Sequence, residues 1–282
     1  MHSLLYVPGN SEKMIVKARD TAADGIILDL EDAVAPPQKR EARALVARLL
    51  RELDFGGKQV FLRINALTTE YGLEDARAAS SIQTLGSHAA GIVIPKVESA
   101  DVVTTVASIL LQRTSKLLCQ IETPRGVFAS RAIAEASEQV TGLLFGSADL
   151  SRELGAELTD DEAEVLYARQ HVLLVARAAN VAAYDSPHFV IADLAGVRRR
   201  AVAARQLGYD GKTIIHPSHI ATVNEVFALT SAQIAQAERV VAAMATAHSA
   251  GRGVVTLDGQ MIDQVHLTAA NRLLKQASKE IR

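Results

Sequence analysis

KLLCQIETPRGVF (residues 116–128) and TGLLFGSADLS (residues 141–151) are built alike: a short apolar run, Leu117–Ile121 in the first and Leu143–Phe145 in the second, followed by a carboxylate. Glu122 closes the first run, and Asp149 stands just past the second. Apolar runs this short, bounded by Gly and Pro, predict buried strands. If the two strands are parallel neighbours, both carboxylates emerge at the same end of one sheet, within reach of a single divalent cation. Mg²⁺ suits such a pair, because it binds through one or two carboxylates and completes its octahedron with water and substrate oxygens. The same residues also read as helix caps, since Thr123-Pro124 and Asp149 both stand at plausible helix starts.

Outward from this stretch the unit recurs. Apolar runs appear at LLYV (4–7), GIILDL (25–30), QVFLRI (59–64), GIVIPKV (91–97), LLCQI (117–121), GLLF (142–145), VAAYD (181–185) and KTIIH (212–216), eight in all. Between them lie segments of helical period. In Ser99–Leu111, Val102, Val103, Val106, Ile109 and Leu110 share one face behind a Ser cap. Thr159 with Glu162 three residues on reads as a capping box opening a long helix, Pro124, Pro187 and Pro217 fit first-turn positions, and Gly208, Gly211 and Gly251 mark ends. Eightfold alternation predicts an α/β chain folded as a (β/α)8 TIM barrel. A doubly wound open sheet alternates too, but the count favours the barrel, and no Gly-x-Gly-x-x-Gly or Gly-Lys-Ser/Thr loop follows any run.

The barrel is expected over residues 1–228. Beyond it, Ser231–Ala250 predicts another amphipathic helix, GRGVVTLDGQMID (251–263) a glycine-bounded, flexible reaching segment, and the remainder to Arg282 a last helix. This C-terminal helical extension, 229–282, is surplus to a barrel and is expected to pack on it or to reach a neighbouring subunit.

Composition narrows the partners. The chain has 282 residues, 49% hydrophobic but only 4% aromatic, so its interior must be built from Ala, Val, Ile and Leu, which suits tight helix-on-strand layers. Thirty Lys plus Arg against 32 Asp plus Glu leave a net charge of −2 with no basic block, which argues against a nucleic-acid partner. The one cysteine, Cys119, lies inside an apolar run, so no disulfide framework exists and a reducing, cytoplasmic setting is expected. The start, MHSLLYVPGN, enters a strand-like run at Leu4 without a leader pattern, and no apolar stretch reaches membrane-spanning length.

In a barrel of this kind the chemistry sits at the C-terminal strand ends. There the sequence places Glu31 and Asp32, Arg63 and Asn65, Lys96, Glu122, Asp149, Asp185 and His216. Burying an unpaired charge costs on the order of several kcal/mol, so either function or mutual pairing must explain these residues. Pairing would join Arg63 to Glu31 or Asp32, and Lys96 to Glu122. His216 and Lys96 read equally well as packing or hydrogen-bonding residues.

At these residues the chain resembles the citrate lyase β-subunit-like family, among the Mg²⁺-dependent carbon–carbon lyases that include malyl-CoA and citramalyl-CoA lyases. The resemblance runs through LLYVPG (4–9), ILDLEDAV (27–34), LRIN (62–65), IPKVES (94–99), IETPRGV (121–127), LFGSADLS (144–151), DGKTIIHPSHI (210–220) and GQMID (259–263). It implies a barrel, Mg²⁺ held by Glu122 and Asp149, a catalytic Arg63, Glu31 and Asp32 behind the metal, and a catalytic Asp263 contributed across a subunit interface. The implied reaction cleaves a 3-hydroxy-acyl-CoA thioester of malyl, citramalyl or citryl type to acetyl-CoA and a 2-oxo acid, in a homo-oligomer, trimer or hexamer. Where the family often carries a basic residue after the first Pro-Gly, this chain has Ser11-Glu12, leaving Lys13 and Lys17 as the nearest groups for coenzyme A phosphates. Other readings are a citrate lyase subunit served by an acyl-carrier partner, a barrel that binds a CoA ester without turning it over, and an aldolase acting on free acids.

Overall fold

The computed structural model describes residues 1–84, 89–110, 114–157 and 159–280. Its parallel strands and helices alternate from the start: β1 (Ser3–Pro8), α1 (Glu12–Arg19), β2 (Gly25–Asp29), α2 (Lys39–Glu52), β3 (Gln59–Arg63), α3 (Gly72–Thr84), β4 (Ala89–Ile94), α4 (Ala100–Ile109), β5 (Lys116–Ile121), α5 (Pro124–Ala134), β6 (Val140–Phe145), α6 (Ser147–Leu154), α7 (Leu166–Ala178), β7 (Ala182–Asp185), α8 (Leu194–Leu207), β8 (Gly211–Ile214) and α9 (Ile220–Phe227). Each strand pairs with the next, and β1 closes on β8 through Ser3↔Lys212 and Leu5↔Ile214, giving a closed (β/α)8 barrel.

Strand alternation sorts the side chains into two cores. Leu4, Ile27, Phe61, Val93, Leu118, Leu144 and Tyr184 fill the barrel interior. Their neighbours in sequence, such as Leu5, Ile26, Leu28, Leu62, Ile92 and Leu143, point the other way and pack against Val46, Val106, Val127, Val172 and Val197 of the helices. With so few aromatics, the layers close because these side chains are compact. Gly91 marks the tightest approach, since a Cβ there would lie 1.9 Å from the Lys116 carbonyl oxygen. Cys119 belongs to the outer core, and burial pushes its thiol up to about 12, which keeps it inert.

Several helix ends differ from expectation. Thr123 caps α5 by accepting from the Gly126 amide at 3.0 Å, with Pro124 in the first turn, and Pro217 opens a 3-10 turn over Pro217–His219. Ser99 stands at the start of α4 but its hydroxyl caps nothing, and Leu111, the expected end of that helix, lies outside the described residues. Thr159 and Glu162 form no capping box: α7 begins only at Leu166, because Glu162 turns inward at φ 54° to meet Arg169 and Arg200. Pro187 lies in the loop between β7 and α8, whose cap is Asp193. Thr230 and Gln233 form a capping box at the start of α10, the helix Ser231–Ser249.

The chain divides into compact units Met1–Phe227 and Ala228–Arg282. The second holds α10 (Ser231–Ser249), β9 (Val255–Leu257), β10 (Gln260–Ile262) and α11 (Gln264–Glu280), with Ala237, Val240, Met244, Ile262 and Ala270 as its core. The reaching segment expected at 251–263 is a β-hairpin in part. Asp258-Gly259 turns it at φ 52° and 76°, the left-handed pair that an Asp-Gly turn supplies. Residues 281–282 of the last expected helix lie outside the described residues. Among the described residues, no helix is long and apolar enough to cross a membrane.

Candidate active site

Because β5 and β6 are neighbours, with Ile121 opposite Phe145, the residues that follow them share one lip of the barrel. The Gly146 amide donates to the Ile121 carbonyl at 3.0 Å, drawing the start of α6 against Glu122. A Cβ at position 146 would lie 2.7 Å from Glu122 Oε2, so only glycine leaves that carboxylate its place. Asp149 follows in the first turn of α6, and its Oδ1 meets Arg152 Nη2 at 2.7 Å. Glu122 and Asp149 line the same cavity, of about 360 Å³.

Glu122 is only 1% exposed. Its Oε1 accepts from the Lys96 backbone amide at 2.9 Å, and its Oε2 accepts from the Gln120 side-chain amide. Lys96 reaches this arrangement in a left-handed backbone conformation, φ 48°, costly for a residue with a long side chain and a recurrent mark of functional sites. Burial, then the neighbouring carboxylates Glu31 and Asp149, push the Glu122 carboxyl up to about 8. Thr123, not Glu122, caps α5, so capping does not account for Glu122.

Arg63 ends β3, where Asp29 stands opposite it in the register of β2. Its Nε and Nη2 donate to the two Asp29 oxygens at 2.7 and 2.6 Å, and its guanidinium lies 4.7 Å from the Tyr6 ring centre. The remaining Nη1 lies 3.1 Å from Glu31 Oε2 and 3.8 Å from Asp32 Oδ2. Burial acts to raise the Asp29 carboxyl, but Arg63 overrides it and holds the group below the usual carboxylate range. Glu31 moves the other way, raised by burial despite Arg63. The pairing expected of Lys96 is corrected: its ammonium goes to Glu31 and to Asp32, and only its backbone reaches Glu122. The cause is that left-handed turn, which aims the amide at β5 and the side chain at β2.

Other strand-end residues serve the scaffold. Lys39 Nζ donates to Asn65 Oδ1 at 2.6 Å and to the Leu30 and Glu31 carbonyls, tying β2 to β3. Asp185 is buried with Arg169 and Lys212, and His216 Nδ1 meets Ser218. Lys13 and Lys17 are exposed on α1. In the second unit Asp263 Oδ1 accepts from the Val265 amide at 3.0 Å and meets His266 Nδ1 at 2.7 Å, so the residue caps α11, and these bonds lower its carboxyl. Sequence reasoning overlooked Asp29, Tyr6, Gln120 and Ser147 as site residues; all four line the cavity. Asp29 was discoverable, since it is the one carboxylate inside the apolar run GIILDL.

The residues fit a divalent cation. Asp29, Glu31, Asp32, Glu122 and Asp149 set five carboxylates against Arg63, Lys96 and Arg152. Two buried polar atoms here, Glu31 Oε2 and Ser147 Oγ, have no hydrogen-bond partner among the described residues; the Arg63 contact with Glu31 is close but poorly aligned. Among the described residues no group of three or more His, Cys, Asp or Glu side chains could by itself hold a metal. An anionic pair without a full protein cage is what Mg²⁺ completes with water and substrate oxygens.

Comparison with known proteins agrees with this chemistry. Residues 2–217 match the HpcH/HpaI aldolase/citrate lyase family. A (3S)-malyl-CoA thioesterase of Cereibacter sphaeroides is 37% identical over 98% of this chain and 94% of the relative. A citrate lyase subunit beta of Leuconostoc mesenteroides is 34% identical over 98% and 93%. The crystal structure of CitE from Mycobacterium tuberculosis in complex with magnesium, acetoacetate and coenzyme A is 32% identical, covers 98% of each chain, and superposes with a TM-score of 0.81. The chain, an enzyme of the carbon–carbon lyase class, thus belongs to the HpcH/HpaI aldolase/citrate lyase family.

Proposed function

We propose that this chain is a Mg²⁺-dependent lyase that cleaves a 3-hydroxy-acyl-CoA bearing a carboxylate into acetyl-CoA and a 2-oxo acid. The observation that carries the reading is the buried Glu122 beside Asp149 on one lip of the barrel, in a cavity that also holds Arg63. Glu122 and Asp149 would hold the metal, with Glu31 and Asp32 behind it. Bound there, Mg²⁺ supplies Lewis-acid polarisation of the substrate's oxygens and a template for them.

The chain's own groups do the rest. Asp29 fixes Arg63 so that Nη1 is the donor turned to developing oxyanion charge, a contribution worth roughly 3 kcal/mol for a well-aimed donor. Lys96 and Gln120 hold the two oxygens of Glu122 by hydrogen bonds, fixing the carboxylate's plane. Asp263 is the proposed general acid/base, acting in a neighbouring copy of a homo-oligomer, trimer or hexamer, with the C-terminal unit at that interface. Lys13 and Lys17 are the proposed contacts for coenzyme A phosphates, and the cytoplasm the proposed compartment.

Purified protein incubated with Mg²⁺ and free CoA thioesters is expected to release acetyl-CoA and a 2-oxo acid, and excess chelator is expected to abolish both. Turnover unchanged by the chelator would remove the metal assignment. Turnover only with a thioester on an acyl-carrier protein would make the chain a subunit of a larger complex.

A further inference from the structure

We infer that Tyr6 is a positioning residue for the metal site: its hydroxyl, acting through the Gln120 amide, fixes the direction of the Glu122 carboxylate. The inference rests on the reading above that Glu122 holds Mg²⁺. It starts from the layering of the barrel interior. Leu4, Phe61 and Leu118, from β1, β3 and β5, belong to the interior core. Side chains alternate along a strand, so the residues two positions on, Tyr6, Arg63 and Gln120, also point inward and stand one layer nearer the cavity, which all three line. In the closed barrel β1 and β5 are opposite strands, and the Tyr6 hydroxyl reaches across to donate to Gln120 Oε1 at 2.9 Å.

Chemistry gives these bonds one direction. As a metal ligand Glu122 is ionised, and an ionised carboxylate only accepts. The Gln120 amide therefore faces it with Nε2, which donates to Glu122 Oε2, and turns Oε1 to Tyr6. A reversed amide would set Oε1 against the carboxylate. Gln120 is 6% exposed, so without the hydroxyl its Oε1 would be buried and short of a donor, and the amide would lose the contact that sets its direction. Burial raises the Tyr6 hydroxyl above its ordinary range, against the pull of Arg63, so it stays a donor. The Tyr6 ring, with the Arg63 guanidinium 4.7 Å from its centre, can pack in the barrel with or without that hydroxyl. A residue that only filled the interior would need the ring alone.

The Mg²⁺ affinity of the purified protein, measured by calorimetry, tests this without any substrate. Tyr6→Phe keeps the ring and removes only the donor, and its Kd for Mg²⁺ is expected to rise at least about threefold, the direction expected when a group that orients a metal ligand is lost. Gln120→Met, close in shape to glutamine, breaks the same relay in the middle and is expected to weaken Mg²⁺ at least as much. In the Gln120→Met background Tyr6→Phe is expected to add nothing further, whereas a disturbance of packing would persist there. Glu122→Gln is the reference, expected to lose about tenfold or more. A rise of less than threefold in Tyr6→Phe, or the same rise in the Gln120→Met background, would overturn the inference and leave Glu122 as the metal ligand. Mg²⁺ bound as tightly by Glu122→Gln as by the wild type would remove the metal assignment and this inference with it.

Discussion

Asp29 grips Arg63 at two points, Oδ1 to Nε at 2.7 Å and Oδ2 to Nη2 at 2.6 Å, and so aims the one nitrogen it leaves free. Both residues end neighbouring strands in register, which makes the fork a consequence of the barrel's own pairing. A planar guanidinium held this way keeps its direction, whereas a lysine ammonium would be a point charge on a flexible stem.

Arg63→Lys is therefore expected to remain folded and to lose about 10²-fold or more in kcat, the loss of a well-aimed oxyanion donor. Steady-state kinetics check it. A variant with wild-type kcat and only an altered KM would make Arg63 a uniform binding residue and remove its role in the transition state.

Glu122 sets a pH dependence whose sign follows from its raised carboxyl. With a folded value of about 8 against an ordinary 4.5, the metal-free protein binds the proton more tightly folded than unfolded. That contribution to stability is fully present below about pH 4.5 and is lost as pH rises through about 8. If Glu122 holds Mg²⁺ as proposed, binding displaces the same proton, so the stabilisation by Mg²⁺ is expected to grow over the same window. Thermal unfolding at pH 6 and pH 8.5, with and without Mg²⁺, measures both trends. Glu122→Gln should flatten them, and a Mg²⁺ shift as large at pH 6 as at pH 8.5 would contradict the account.

Gly146 offers a test of the cradle that replaces none of the proposed ligands. Its φ of −112° is open to any residue, so Gly146→Ala should fold, but the new methyl would lie 2.6 Å from Glu122 Cβ and 2.7 Å from Oε2. The carboxylate must move, and Mg²⁺ affinity measured by calorimetry is expected to fall at least tenfold. Unchanged affinity would mean that Glu122 does not hold the metal.

The barrel was legible because eight apolar runs alternate with helical periods, and the meeting of Glu122, Asp149 and Arg63 in one cavity was legible because each ends or closely follows such a run. What escaped had no local signature. The Lys96 side chain crosses to Glu31 and Asp32 because its backbone adopts φ 48°, which nothing in IPKVES announces. Glu162 mimics a capping box at the right spacing, yet its partners, Arg169 and Arg200, come from α7 and α8, so tertiary pairing wins over the local pattern. The hairpin at 255–262 did have a signal, Asp-Gly between apolar residues, which went unread in favour of the neighbouring glycines.

Asp263 poses the last question, because its observed geometry and its proposed chemistry differ. Its Oδ1 caps α11 through the Val265 amide and His266, and a cap alone predicts that Asp263→Ala costs about 1 kcal/mol of stability with chemistry intact. General acid/base work predicts instead a loss of roughly 10²- to 10⁴-fold in rate. The family resemblance implies service in a neighbour's site, and the residue follows the 255–262 hairpin directly. Mixing Glu122→Ala with Asp263→Ala under conditions of subunit exchange decides between the arrangements. If Asp263 serves a neighbour, some hybrid sites combine an intact barrel with an intact C-terminal unit, and activity returns. If it serves its own barrel, every site lacks one group and the mixture stays inactive although hybrids form, as a tagged pull-down would establish. Full activity of Asp263→Ala alone would leave the residue as a helix cap and nothing more.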